Sequence, residues 1–120
     1  MSVDPGCLFC KIVRGEIPSK KVYEDDEIFA FRDIRPVRPV HFLVVPKAHV
    51  ATLYDTTEAH VPALGRMLSK AGELARAEGA VDGFRTIINC GRVGHQEVYH
   101  LHMHVIGGPD PVGPMITRKL

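Results

Sequence analysis

The 120-residue chain contains no apolar run long enough to cross a membrane, so a bilayer-spanning protein is not expected. It has almost no excess charge: 15 Lys and Arg against 14 Asp and Glu give +1 with neutral histidines. That argues against broad nucleic-acid binding, though not against one nucleotide in a pocket. Cysteine is scarce and odd in number, with Cys7, Cys10 and Cys90 only. Met1 to Pro5 shows no basic stretch followed by an apolar segment, so no signal peptide is expected. Together these point to a reducing, cytoplasmic compartment. Repeats and low-complexity linkers are absent. What remains, 120 residues with 45% hydrophobic content, suits one globular domain over residues 1–120.

The richest segment is Val98-Tyr99-His100-Leu101-His102-Met103-His104-Val105-Ile106. A period of two predicts a β-strand. His100, His102 and His104 then share one face, and Tyr99, Leu101, Met103 and Val105 the other. Residues i and i+2 lie roughly 6.6 Å apart, so a phosphoryl group fits beside two imidazoles. One imidazole can attack phosphorus while its neighbour protonates the leaving group. Purely structural histidines are a poor explanation, because three in a row need partners when buried and repel when charged. Spacing alone leaves phosphate chemistry and a catalytic metal both open.

Elsewhere, Cys7 to Arg14 predicts a short helix stopped by Gly15 and Pro18. Val22–Glu24 and Ile28–Asp33 read as a hairpin around Asp25-Asp26. His41–Val45 reads as a buried strand closed by Pro46, and Arg85–Asn89 as another strand. Glu58 to Glu78 is the one long helical pattern, N-capped by Thr57 and ended by Gly79. Val61, Leu64, Met67, Leu68, Ala71, Leu74 and Ala75 form its core stripe. The order predicts an α+β fold of mostly antiparallel strands with one main helix.

Gly91-Arg92-Val93-Gly94-His95-Gln96 leads into the histidine segment, and its glycines let backbone N–H groups approach an anion. Asn89 is a phosphate or ribose contact or a turn cap. Asp33 is a ribose acceptor or a capping residue. Cys7-x-x-Cys10 is half a zinc site or a pair of buried thiols. His49 and His100 are the preferred further ligands. Cys90 is expected in the core, and His60 and His95 at the surface.

These residues resemble the histidine triad (HIT) superfamily. His100-Leu101-His102-Met103-His104-Val105 matches its His-x-His-x-His-hydrophobic signature. Gly15–Ser19, Tyr23–Asp26, Ala30–Ile34, His41–Lys47 and Gln96–His100 sit in family order, so nearly the whole chain is covered. The detail is most similar to the Hint branch, purine nucleoside phosphoramidases. Gly107-Gly108-Pro109 and Gly113-Pro114-Met115 resemble its bacterial members.

The resemblance implies a five-stranded antiparallel sheet with a short N-terminal helix and one main helix. It also implies a homodimer in which the sheets join. By matching position His102 is the nucleophile, His104 assists leaving-group protonation, and His41 and His100 orient them. Ile17, Phe31, Asp33 and Ile34 would cradle base and ribose. Asn89, Gly94, Gln96 and Val98 would lie around the phosphate. Glu97 stands where animal Hint proteins have Ser. Other bacterial HIT proteins hold structural zinc with a Cys-x-x-Cys and two histidines, an arrangement that Cys7, Cys10, His49 and His100 match. Catalysis would need no cofactor. The implied reaction is cleavage of purine nucleoside 5′-phosphoramidates through a nucleotidyl-histidine. The rivals are dinucleoside polyphosphate hydrolysis and a nucleotide-binding adaptor. The segment Pro111–Leu120 is expected to extend over the surface toward a partner.

Overall fold

The computed structural model describes residues 4–117; Met1 to Val3 and Arg118 to Leu120, including the end of the expected C-terminal extension, lie outside the described residues. Helix α1 (Leu8–Val13) leads into strands β1 (Lys21–Glu24), β2 (Ile28–Arg32) and β3 (Val40–Pro46). Helix α2 (Val61–Glu78) follows, then β4 (Phe84–Ile87) and β5 (Met103–Gly107). The strands form one antiparallel sheet in the order β1-β2-β3-β5-β4. This is the α+β architecture that the sequence predicts.

The sheet buries both faces, and alternation sorts its side chains. Ile28, Ala30, Val40, Phe42, Val44, Met103 and Val105 pack with Met67, Ala71, Leu74 and Ala75 of α2. Phe29, Phe31, Leu43 and Val45 point the other way and pack with Phe9, Cys10 and Ile12 of α1. His41 and His104 have the parity of this second face, so the histidines project opposite the main helix.

Several boundaries differ from expectation for local reasons. The histidine strand begins only at Met103. Upstream, the Leu101 N–H leaves the ladder and donates to the Val50 carbonyl at 2.8 Å. Alternation nonetheless continues through Leu101 and His100. It fails at Tyr99, which is 48% exposed instead of joining the core. Pro46 is the last residue of β3, not the stop after it. Glu58–His60 forms a 3₁₀ turn before α2, with Thr57 Oγ1 accepting from the Ala59 N–H at 3.2 Å. The α-helix proper starts at Val61, where Pro62 loses no helical hydrogen bond. The buried stripe of α2 is narrower than predicted, since Leu68 is 59% and Val61 54% exposed. Cys90 is half-buried, because its carbonyl starts a surface turn by accepting from the Gly94 N–H at 3.3 Å.

The β1–β2 turn is tied to α2. Asp25 Oδ1 accepts from the Glu27 and Ile28 N–H groups at 2.8 and 3.0 Å. Its Oδ2 accepts from Tyr23 Oη at 2.8 Å and from the Arg66 guanidinium of α2. Burial works against this carboxylate. Arg66, the two amides and Tyr23 outweigh it and hold Asp25 well below the usual carboxylate range. Asp25→Ala orphans those donors and should cost about 1–3 kcal/mol, read as a lowered thermal midpoint.

Candidate active site and metal centre

Four histidines have their ring protons assigned by their partners. His100 Nε2 lies 2.8 Å from the Pro46 carbonyl, which can only accept, so Nε2 carries the proton. Its Nδ1 lone pair is then free. His102 Nδ1 donates to the His100 carbonyl at 2.9 Å, leaving a lone pair on Nε2. His41 Nδ1 accepts from the Val37 N–H at 3.1 Å, so its proton sits on Nε2. That proton faces His104 Nδ1 at 2.9 Å, with Asp33 Oδ2 a second acceptor at 3.4 Å. His104 therefore carries its proton on Nε2. One imidazole offers a lone pair and its neighbour an N–H, with ring centroids 5.1 Å apart.

Burial keeps these rings neutral. It lowers His102 and His41 and pushes His104 down to about 4, with the charges of His102 and His41 adding to the effect on His104. It pushes His100 to about 4 as well, against the opposing pull of the Pro46 carbonyl. A neutral His102 is the form that can act as a nucleophile.

His102 and His104 open into a cleft of about 130 Å³ also lined by Phe9, Asp33, Leu43, Asn89, His95, Glu97 and Val98. Asp33 is shared with a larger, mostly apolar cleft of about 600 Å³ formed with Pro18, Ser19, Lys20, Arg32, Ile34 and Pro36. Ile34, 90% exposed, belongs to this second cleft. Phe31 is buried edge-on against Phe9, with centroids 5.4 Å apart, and half-buried Ile17 packs on the same apolar cluster. Asp33 Oδ1 also accepts from the Arg35 N–H at 2.7 Å, so the capping role expected as its alternative is present too.

Gly94 and Gln96 do not line the histidine cleft. Gln96 is buried; its Oε1 accepts from the Gly91 N–H at 2.9 Å, and its Nε2 donates to the Ala51 and Val98 carbonyls at 2.7 and 3.0 Å. It braces the loop instead of facing the cavity. A Cβ at Gly94 would sit 2.6 Å from the Cys90 carbonyl oxygen, so the turn needs glycine there. Phe9, Leu43 and His95 are lining residues that the sequence reading did not select, and Glu97, noted there as replacing the Ser of animal Hint proteins, lines the cleft as well. Leu43 could have been found two residues after His41 on the same strand. Phe9 had no local signal: its ring meets His102 edge-on, with centroids 5.1 Å apart, from the opposite end of the sequence.

Cys7, Cys10, His49 and His100 converge behind this cleft, with their ligand atoms all within 4.8 Å of one another. Cys7 Sγ and Cys10 Sγ lie 3.4 and 3.5 Å from His100 Nδ1. Cys10 Sγ lies 3.5 Å from His49 Nδ1, and the two Nδ1 atoms are 3.3 Å apart. A tetrahedral zinc with bonds of about 2.0–2.1 Å to nitrogen and 2.3 Å to sulfur has N···N edges of about 3.4 Å and S···N edges of about 3.6 Å. The set fits that ion. The Pro46 contact supplies the outer hydrogen bond that a metal-bound imidazole needs. Asp33, His41 and His104 also lie close together. Their 2.9 Å N···N separation is short for two ligands on one metal and suits a hydrogen bond.

The HIT domain family matches residues 14–110. The chain belongs to the HIT family. It is 50% identical to Escherichia coli (strain K12) purine nucleoside phosphoramidase over 93% of this chain and 94% of that protein. It is also 50% identical to Protein HitA of Neisseria gonorrhoeae over 86% of this chain and 96% of the relative. A 14 kDa zinc-binding protein of Brassica juncea is 50% identical over 84% of this chain and 91% of its own length. Among solved structures, a HIT family hydrolase from Clostridium thermocellum superposes with a TM-score of 0.89 at 40% identity, covering 96% of this chain and all of that one. These HIT relatives make the chain a member of a hydrolase family.

Proposed function

We propose that this HIT protein cleaves the P–N bond of purine nucleoside 5′-phosphoramidates through a nucleotide bonded to His102. The carrying observation is that one cleft is lined by both His102, whose Nδ1–H is taken by the His100 carbonyl so that its lone pair is on Nε2, and His104, whose Nδ1 is taken by His41 so that its proton is on Nε2. His102 Nε2 attacks phosphorus while its Nδ1–H stays on the His100 carbonyl, which spreads the positive charge that develops. The P–N bond breaks with its electron pair going to nitrogen. That nitrogen takes a proton handed on from solvent through His104, which His41 orients. Water then attacks phosphorus and passes its proton back through His104 to solvent, the P–Nε2 bond breaks with its electron pair returning to His102, and the nucleoside monophosphate leaves. Two easier steps replace one difficult one.

The larger cleft at Asp33 and Ile34 suits base and ribose, to which Phe31 and Ile17 would add apolar contacts. Asn89 and Val98 line the cleft where the phosphate would sit, on a loop shaped by Gly94 and Gln96. Cys7, Cys10, His49 and His100 would hold a structural zinc. When bound it would supply a cross-link from α1 to the histidine segment, not a Lewis acid for the reaction. A homodimer fits the exposed edge strand β4 and the uncovered Leu68 of α2, which leave a backbone edge and an apolar helix face for a second copy.

His102→Ala should keep its fold yet lose several orders of magnitude in turnover. Intact-mass spectrometry of quenched wild-type reactions should show one added nucleotide, mapped to His102. Faster cleavage of diadenosine polyphosphates than of adenosine phosphoramidates would instead favour the rival hydrolase. For the metal, elemental analysis of protein purified without chelator should give one zinc per chain, and Cys7→Ser should lower both metal content and thermal midpoint. Light scattering at micromolar concentration should report twice the 13.3 kDa chain mass.

A further inference from the structure

The rim of the histidine cleft is acidic. Its described lining includes two carboxylates, Asp33 and Glu97, and neither lysine nor arginine. Phosphate sites commonly answer their ligand's charge with a basic side chain. In this cleft no basic side chain does so. A substrate that adds further negative charge at this rim is therefore penalised, and one that adds positive charge is favoured.

The two carboxylates lie on different sides of the reaction. Asp33 borders the larger cleft, the side assigned above to the nucleoside. With base and ribose there and phosphorus at His102, the leaving group points to the other rim, where Glu97 and His95 stand. Their side chains are 81% and 88% exposed, open to a group emerging from the cleft. Glu97 Oε1 lies 4.0 Å from His95 Nε2. Its charge is felt in the cleft, where it opposes the lowering of His102 and His104 by burial.

His95 is also conformationally unusual. With φ 62° it is the one described residue other than glycine in the left-handed region, a backbone state that glycine adopts freely. The turn enforces it: the His95 N–H donates to the Arg92 carbonyl at 3.1 Å and the Gln96 N–H to the Gly91 carbonyl at 3.0 Å. An imidazole kept where glycine would be easier stands beside the Glu97 carboxylate at the exit of the cleft.

We propose that Glu97, flanked by His95, is a specificity residue that selects phosphoramidates whose leaving amine carries a second, positively charged group. The inference rests on the phosphoramidase reading and names the leaving-group class within it.

Three adenosine phosphoramidates of similar size test it: those of propane diamine, butylamine and β-alanine, with cationic, neutral and anionic ends. Wild-type kcat/KM should favour the diamine over butylamine by roughly two- to fivefold at low salt, the scale of an exposed charge pair. β-Alanine should be disfavoured by a similar factor. Raising salt from about 0.01 to 1 M cuts the screening length from about 30 to 3 Å and should erase the preference. Glu97→Gln should bring the diamine-to-butylamine ratio close to one. His95→Gly removes the imidazole at a position where glycine is unstrained, and should change the ratio without lowering the thermal midpoint. A wild-type ratio near one at low salt, or a ratio that survives Glu97→Gln, overturns the proposal. Binding of the three compounds to His102→Ala protein reports the preference independently of turnover. No cleavage of any compound with the diamine preference intact in binding would sink the phosphoramidase reading alone. Equal cleavage and equal binding of all three would sink the specificity proposal alone.

Discussion

His100 is the residue on which the site depends, because it works through three atoms at once. Its Nε2–H donates to the Pro46 carbonyl at the end of β3. Its Nδ1 faces Cys7, Cys10 and His49. Its backbone carbonyl accepts the His102 Nδ1–H and so decides which nitrogen of His102 keeps a lone pair. Fully buried, it has no water to satisfy any of these groups. Replacing its side chain therefore disturbs more than the cluster with Cys7, Cys10 and His49: it frees the Pro46 carbonyl and loosens the backbone oxygen that sets the His102 tautomer.

The same logic explains how an apolar sheet tolerates so many histidines. Burial makes the charged ring costly and holds each ring neutral, while a fixed donor or acceptor decides which nitrogen carries the proton. His41, His102 and His104 all take part in such contacts, two of them to the backbone. Backbone partners do not rotate away or titrate, so the proton positions persist across neutral pH. The sheet pays for this arrangement with its other face, where β2, β3 and β5 give α2 an almost wholly apolar surface.

The alternating pattern from His100 to Val105 was legible because a sheet buried on both faces must separate its side chains by parity. Tyr99 departed from it because the chain had already left the sheet there, a tertiary event recorded in the Leu101 to Val50 hydrogen bond. The width of the α2 stripe was overestimated at Leu68. Periodicity identifies an apolar face but not how much of that face a five-stranded sheet can cover. Gln96 shows a different limit. A loop glutamine beside a site reads equally well as ligand or brace, and only the position of Ala51, far away in sequence, decides it. His41 carries no spacing signal at all; only family resemblance pointed to it.

Phe9 joins the two halves of the site. Its ring stands edge-on to both His102 and His100, with centroids 5.1 and 6.1 Å away. It sits on a helix of six residues, too short to hold itself together in water. Something outside the helix must fix it. Apolar packing of Phe9 and Ile12 on β2 and β3 supplies part of that constraint. The Cys7 and Cys10 sulfurs, at the cap and first turn, supply the rest by meeting His49 and His100. A metal held there would pin the Phe9 wall of the histidine cleft, and its loss would reach His102 through Phe9 on one side and the His100 carbonyl on the other. An ion at this cluster would thus be coupled to the His102 geometry through two short paths, without lining the histidine cleft.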